Sequence, residues 1–439
     1  MSEAPPLAEI DAALAAGDHR AAFAAMRWSL HYPQGLAHWR ALLGRFSRTC
    51  EGIAGGELAD KVRVVANERA ADHVQALYDL GYELIEHDLP EIAATFLARA
   101  CEVAPGHPGL LSELCAALER ANLNAEAVQW LESSASALAE SFVLRYLLAW
   151  NALMTGDLGR ARAQVATLTR PADENERAMV HRMRGVLARA EAVATSTPLD
   201  PRDLRGWHFV LNGGLLLHVS PHGFDEGMNG RYAFRQDPEA MCHEALVRLR
   251  HVTIGLDLQL TSVLTLRDPD SAALGAATAK FLGLPARPFG EVLDAPGLVV
   301  VYDLANLRDE DVADLQSHRP GQVLWTHASE WTRDQPLAGD IVTYLYQVNA
   351  SPWGERLAFD PQHGGARRMP RDPAPTEVLA DRVLAAQPDD GGLADLDDLD
   401  RLARAVERLS GDHAAGAFRS YGPRRRQWSG GPVPSNRFL

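Results

Sequence analysis

Three alanines, Ala93, Ala127 and Ala161, stand 34 positions apart in text whose apolar residues recur at three- and four-residue spacing. The spacing predicts amphipathic helices. A small residue returning once per fixed period is what a stack of helical hairpins needs where two helices touch. The helical text, rich in Ala, Leu, Glu and Arg, runs from Leu7 to about Ala194. Gly17-Asp18, Asp88-Leu89-Pro90, Pro105-Gly106-His107-Pro108, Ala121-Asn122-Leu123-Asn124 and Gly156-Asp157 interrupt it. Such phrases are turns, here between helices of roughly 12–15 residues.

Around the first alanine, Leu77, Leu80, Gly81, Leu84, Ala93, Leu97, Ala100 and Pro105 follow the large and small positions of the tetratricopeptide pattern, which this segment resembles. The unit Pro108 to Ser141 keeps Leu111, Leu114, Leu118, Ala127 and Leu131, has Cys115 for the small residue and lacks the final proline. A third unit, Phe142 to Asn175, keeps Leu148, Ala149, Ala161 and Val165, with Pro171 early. An N-terminal hairpin, Leu7 to Pro33, fits with Ala21 and Pro33 in the same roles. Between Leu36 and His73 the period breaks, and a longer helix starting near Glu57 is expected there. Alanine-rich hairpins can also form bundles without a repeat relationship; the register shared by three units favours the repeat.

The resemblance implies a solenoid over 1–195 whose concave face is built by the first helix of each hairpin. That face would receive Gln75, Tyr78, Tyr82 and Ile85, then Ser112, Ala116 and Glu119, then Val143, Tyr146, Trp150 and Leu153. Gln75, Tyr78, Tyr82, Tyr146, Trp150 and Leu153 are the candidate partner-binding residues. An aromatic and aliphatic lining suits an apolar or amphipathic protein segment, for which Tyr and Trp are the usual anchors. The chain's own second domain is the alternative occupant.

After Thr195 a polar, proline-punctuated linker (196–206) gives way to β-branched and aromatic clusters alternating with helical patterns. Strands are expected at Trp207–Leu211, Leu215–Val219, Ser262–Leu266, Leu298–Tyr302, Gln322–Thr326 and Ile341–Gln347. Helices are expected at Pro238–His251, Asp270–Leu282, Asp309–Ser317, Thr376–Ala386 and Leu393–Leu409. Continuous apolar strands such as Leu298-Val299-Val300-Val301 imply buried parallel strands. Residues 207–410 therefore read as an α/β domain with a mainly parallel sheet. From Gly411 to the end Gly, Pro and Ser dominate, and Arg419, Arg424, Arg425, Arg426 and Arg437 face a lone Asp412. This basic tail (411–439) is expected to be flexible. It reads either as an anion-binding arm or as neutralised by the acidic stretch holding Asp389, Asp390, Asp395, Asp397, Asp398 and Asp400.

Ser262 to Ser271, followed by a small-residue helix and Gly283-Leu284-Pro285, gives a strand, a polar loop and a helix start. The first amides of that helix favour an anion, which makes Arg267, Asp268, Asp270 and Ser271, with Asp303, a candidate anion-binding set. Asp268 or Asp270 acting as the helix cap explains the same residues. The segment 255–330 resembles the phosphoribosyltransferase-like fold, in which such a unit ends like Leu282-Gly283-Leu284-Pro285 and is followed by a strongly apolar strand. The resemblance implies two acidic residues and a small Gly- and Thr-rich phosphate loop after Leu298–Tyr302. The chain offers only Asp303 of the acidic pair, in Tyr302-Asp303-Leu304-Ala305-Asn306-Leu307-Arg308, without a glycine. Loss of the usual transferase chemistry is expected.

His208, His218, His222, Asp225, Glu226, His243, Glu244 and His251 are dense enough to raise the question of a metal. His218 and His222 sit four apart on a strand leading into a loop and would not converge as on a helix. No H-E-x-x-H, G-x-S-x-G, P-loop or G-x-G-x-x-G phrase occurs, so neither metal nor cofactor is expected. Asn212-Gly213-Gly214 and His363-Gly364-Gly365 read as turns. Cys50, Cys101, Cys115 and Cys242 form no C-x-x-C pair, which fits a reducing cytoplasm.

The chain of 439 residues carries a net charge of −15, which opposes nucleic acid as the main partner. Among 43 basic residues only Lys61 and Lys280 are lysines, a bias expected of a GC-rich bacterial gene. Neither a signal-peptide pattern nor an apolar run of the roughly 18 residues that cross a bilayer is seen, so no membrane partner is expected. The simplest functional reading is a cytoplasmic adaptor, more an interaction protein than an enzyme. The alternatives are an enzyme acting on a phosphorylated or nucleotide-like ligand that the repeats recruit, and repeats that merely brace the second domain.

Overall fold

A computed structural model describes residues 4–67, 72–222, 224, 227–360, 365–388, 393–409 and 422–435. The chain divides into two compact units, Met1–Met183 and Arg184–Leu439.

The first unit is all helix: α1 (Leu7–Ala15), α2 (His19–Leu30), α3 (Gly35–Ile53), α4 (Gly56–Ala66), α5 (Val74–Glu86), α6 (Pro90–Val103), α7 (Pro108–Arg120), α8 (Asn124–Ser133), α9 (Ala135–Glu140), α10 (Phe142–Met154), α11 (Leu158–Thr167) and α12 (Glu174–Val193), the last continuing into the second unit. First helices begin at Val74, Pro108 and Phe142 and second helices at Pro90, Asn124 and Leu158, each series advancing by 34 residues. The turns repeat in atomic detail. Asp88, Asn122 and Gly156 take positive φ of 56°, 58° and 84°. At each, the following amide reaches back to Leu84, Leu118 or Ala152, and the residue's own amide to Ile85, Glu119 or Leu153. This paired capping pattern needs a left-handed residue, which Gly, Asn and Asp supply at least cost. Gly17 makes the same turn between α1 and α2. Ala93, Ala127 and Ala161 are fully buried.

Two expectations for this unit change. The irregular region holds two helices, the 19-residue α3 and the 11-residue α4, separated at Gly55 with φ +89°. The long helix therefore precedes Glu57 instead of starting there. Where the second unit of the pattern lacks its proline, the chain inserts the extra helix α9.

The second unit contains α13 (Leu204–Asn212), β1 (Leu215–Leu216), β2 (Tyr232–Gln236), α14 (Glu239–Gly255), β3 (Val263–Thr265), α15 (Pro269–Leu282), β4 (Ala286–Pro288), β5 (Gly297–Asp303), α16 (Asp309–Leu315), β6 (Ser317–His318), β7 (Gln322–Glu330), β8 (Ile341–Ala350), β9 (Arg356–Asp360), β10 (Gly365–Met369), α17 (Thr376–Ala385), α18 (Leu396–Glu407) and β11 (Gly422–Pro423). Seven strands form one parallel sheet in the order β1-β8-β7-β5-β3-β4, with β2 also pairing with β8. All of β5 is buried, as a parallel strand covered on both faces requires. Its side chains join Leu264, Leu266, Phe289, Leu304, Leu315, Leu324 and Leu337 in one core.

Residues 207–211 are helix, not strand. Asp203 caps α13 by accepting from the Gly206 amide at 2.8 Å, and Gly213 ends it in the left-handed region. All nine residues of α13 are buried, and a short run such as Trp207–Leu211 is ambiguous between a buried helix and a buried strand. Asn212-Gly213-Gly214 is thus a helix stop, not a hairpin turn. His363 and Gly364 lie outside the described residues, while Gly365 opens β10, which pairs antiparallel with β9. The second unit begins within α12, before the expected linker: Arg189 is buried and donates to the carbonyls of Val210 and Leu211.

The end of the chain also departs from expectation. Arg419, Arg437 and Asp412 lie outside the described residues, but 422–435 pack onto the second unit. β11 pairs with β6. Arg424 is buried against Asp340 at 2.7 Å. Arg425 donates to the Asn212 carbonyl, and Gln427 accepts from Ser329. The charges that looked mobile find buried acceptors. Their counter-ion is Asp340, whereas Asp395 of the acidic stretch pairs with Arg205 and Arg248.

Candidate functional site

The chain passes from β3 outward to β4, then returns to place β5 on the other side of β3. Open parallel sheets bind ligands at the carboxyl ends of strands at such a switch point. The loop Arg267–Ser271 and the end of β5 meet here. Asp268 caps α15, its Oδ1 accepting from the Ser271 amide at 2.8 Å. Its other oxygen is buried without a partner among the described residues, and burial raises its pKa. One oxygen of Asp270 accepts from Ser351 Oγ at 3.1 Å, Trp353 Nε1 at 2.6 Å and Arg371 Nη2 at 2.5 Å. The Ser271 hydroxyl accepts from the Tyr302 amide at 2.9 Å, and Arg267 is exposed. Asp303 accepts from the Ala305 amide, Asn306 and the Tyr346 hydroxyl. Burial lifts its pKa to about 6. Asp270 and the Ser271 hydroxyl are thus engaged within the chain, and one oxygen of Asp268 serves as the cap of α15.

Beside it lies a buried polar centre. Asp237, just after β2, accepts at Oδ2 from Tyr302 at 2.7 Å and pairs through the same oxygen with His327 Nε2 at 2.8 Å. Cys242, in the first turns of α14, sits 3.5 Å from that oxygen and 3.7 Å from the same nitrogen. Burial opposes the Asp237 charge, but His327, Arg235 and Tyr302 together hold its pKa below the ordinary value. Burial drives the Cys242 thiol well above its ordinary value.

A third group adjoins through rings. His218 contacts Glu244 through Nδ1 at 3.2 Å and the Tyr232 hydroxyl through Nε2 at 2.7 Å. Glu244 is buried, yet His218 and Arg248 keep its pKa below the ordinary value, so it is ionised and takes the Nδ1 hydrogen. Nε2 is then left to accept from Tyr232. Tyr232 meets Tyr344 edge-on, Tyr344 meets His327, and Arg235 lies over Tyr232 and Tyr344.

The remaining histidines are placed individually. His208 is fully buried, bonds the Gly214 carbonyl and has its pKa pushed down by burial to about 4. His243 bonds the Val383 carbonyl, and His251 pairs with Asp400. Asp225 and Glu226 lie outside the described residues. On the repeat unit, Gln75 and Tyr82 are exposed and Tyr78 partly so. Tyr146, Trp150 and Leu153 are buried, and Tyr146 accepts from Arg182 of α12 at 2.9 Å. These three side chains are thus buried within the chain, whereas Gln75 and Tyr82 face outward.

Sequence reasoning missed Asp237, Tyr302, His327 and Tyr344. One signal was present, the run Thr326-His327-Ala328-Ser329 inside an otherwise apolar buried strand. The chain matches no protein-family model and no curated protein.

Proposed function

We propose that the chain is an interaction protein whose tetratricopeptide-like unit presents a face to a protein or peptide segment, and whose α/β unit has a phosphoribosyltransferase-like core without the transfer reaction. The observation that carries this reading is the filled switch point. Asp270 is engaged by Ser351, Trp353 and Arg371, Asp303 is engaged by Tyr346, and Trp353 and Tyr302 are buried there. The repeat reading rests on the 34-residue advance of paired helices and their shared turn. The face left open carries Gln75, Tyr78 and Tyr82, with Tyr82 46% exposed. Its occupant is an amphipathic segment of another protein. The four cysteines are free and buried, in keeping with a reducing cytoplasm. A bacterial source stays with the reading of composition.

The test compares partner capture by the full chain and by a Tyr78→Ala, Tyr82→Ala double variant. Loss of a stoichiometric partner with unchanged melting supports the reading. A lowered melting temperature with the partner retained assigns these rings to the chain's own packing and refutes it.

One arrangement favours a second reading, an enzyme acting on a phosphorylated or nucleotide-like ligand. Glu244, His218 and Tyr232 line up as orienter, base and hydroxyl, the order in which an activated nucleophile or proton carrier is built. A sulfonyl fluoride probe that labels Tyr232 in the wild type but not in His218→Ala supports it. Equal labelling removes it.

A further inference from the structure

Asp237, Cys242 and His327 reach one point from the end of β2, the start of α14 and the middle of β7, and all three are buried. Their donor atoms lie within 4.8 Å of one another. In a relay of nucleophile, base and orienter the two ring nitrogens of the histidine face opposite partners. Here a single nitrogen, Nε2, faces both the thiol and the carboxylate, while Nδ1 has no partner among the described residues. Convergence on one nitrogen is the geometry of ligands around a common atom, not of a relay.

We propose that these three side chains bind one divalent transition-metal ion of the zinc class. Bonds of about 2.0 Å to oxygen, about 2.1 Å to nitrogen and about 2.3 Å to sulfur place tetrahedral ligand atoms about 3.3 Å apart for oxygen and nitrogen and about 3.5 Å apart when sulfur is one of the pair. The sulfur–oxygen and sulfur–nitrogen separations, 3.5 and 3.7 Å, already match. The oxygen–nitrogen pair, at 2.8 Å, needs to open by only about half an ångström from its hydrogen bond. A thiolate with imidazole and carboxylate selects a borderline ion such as Zn2+ or Co2+ over Mg2+ or Ca2+, which take oxygen ligands.

The protons balance. The Cys242 thiol proton leaves to solvent as the sulfur–metal bond forms, and the hydrogen on His327 Nε2 moves to the unpartnered Nδ1. Carboxylate and thiolate then neutralise the dication. Tyr302, donating to Asp237 Oδ2 at 2.7 Å, and Arg235, 3.4 Å from Oδ1, hold the carboxylate from outside the ligand set. The ion would tie the end of β2, α14 and β7 together, and with three protein ligands its fourth tetrahedral position falls to a water or other small ligand.

The full chain is expressed in medium supplemented with Co2+, so that the probe is present while the chain folds. One cobalt per chain and a thiolate-to-cobalt charge-transfer band are expected. The band must vanish in Cys242→Ala and persist when Cys50, Cys101 and Cys115 are all replaced by alanine. Should Cys242→Ala fail to fold, Tyr302→Phe keeps the three ligands and weakens Zn2+ affinity about 10–100-fold. The wild type should melt higher with Zn2+ than after chelator treatment. A wild type without the band and with identical melting in Zn2+ and chelator overturns the proposal, as does a band that survives in Cys242→Ala.

Discussion

Gly81 in α5 is where the helix contact of the repeat can be tested most sharply. A methyl group built there would stand 2.5 Å from Leu97 Cγ and 2.8 Å from Leu97 Cδ2, and Leu97 is fully buried in α6. Two effects oppose each other in Gly81→Ala. Alanine in a helix interior gains about 0.5–1 kcal/mol over glycine, while forcing a methylene into a packed contact costs about 1–3 kcal/mol. The contact wins, for a net loss of about 1–2 kcal/mol, or roughly 5–30-fold in the local opening equilibrium. Hydrogen exchange of α5 and α6 peptides in the full chain measures this locally, without requiring the two units to unfold together. The sign should reverse in a Leu97→Ala background. There the collision is gone, and Gly81→Ala should be neutral or stabilising by up to about 1 kcal/mol. Slower exchange on adding Gly81→Ala to the wild type would refute the close approach of α5 and α6.

Asp303 holds its proton in the folded chain up to about pH 6, whereas an unfolded carboxyl of this type loses it near 3.8. The native state binds more protons in that window, so stability falls as pH rises from about 4 to about 6, by roughly 2–3 kcal/mol. Urea unfolding of Asp303→Asn should show this slope removed. Asp340 is fully buried with a pKa held near about 2, where Arg424 is its strongest cationic partner. Arg424→Ala strands the charge and should cost about 3–5 kcal/mol at neutral pH, read by chemical denaturation. The stabilisation from Asp340 is present above pH about 4 and is lost as pH falls toward about 2, so the variant should also lose that acid-dependent step. Asn122→Ala, at φ 58°, should cost about 1–2 kcal/mol, while Asn122→Gly should cost nothing; exchange of α7 and α8 amides distinguishes them.

Local chemistry was the legible part of this chain. The turn residues Asp88, Asn122 and Gly156 and the buried alanines carry the 34-residue advance in plain text. Strands such as β5 were readable because a run of branched apolar residues between turn phrases has few other uses. α13 was not, because the short run Trp207–Leu211 taken alone has the length and composition of a strand, and the caps Asp203 and Gly213 that mark a helix lie outside it. The polar centres were not readable for a different reason. Asp237 meets Tyr302 across 65 positions and His327 across 90. Only the order of the strands decides that pairing. β2, which presents Tyr232, Arg235 and then Asp237, lacks the alternation of a half-buried strand, its pattern being intermediate nearly throughout. The terminal arginines were misplaced because charge on a Gly- and Pro-rich segment looks solvated until a buried acceptor such as Asp340 is known.

Titrating phosphoribosyl diphosphate with Mg2+ into the full chain by calorimetry, with pyrophosphate release followed in parallel, tests the filled switch point most directly. Neither binding heat nor pyrophosphate is expected, because Asp268, Asp270 and Asp303 occupy that end of the sheet, with Asp270 engaged by Trp353 and Arg371 and Asp303 by Tyr346. Tight magnesium-dependent binding with pyrophosphate release would contradict the account.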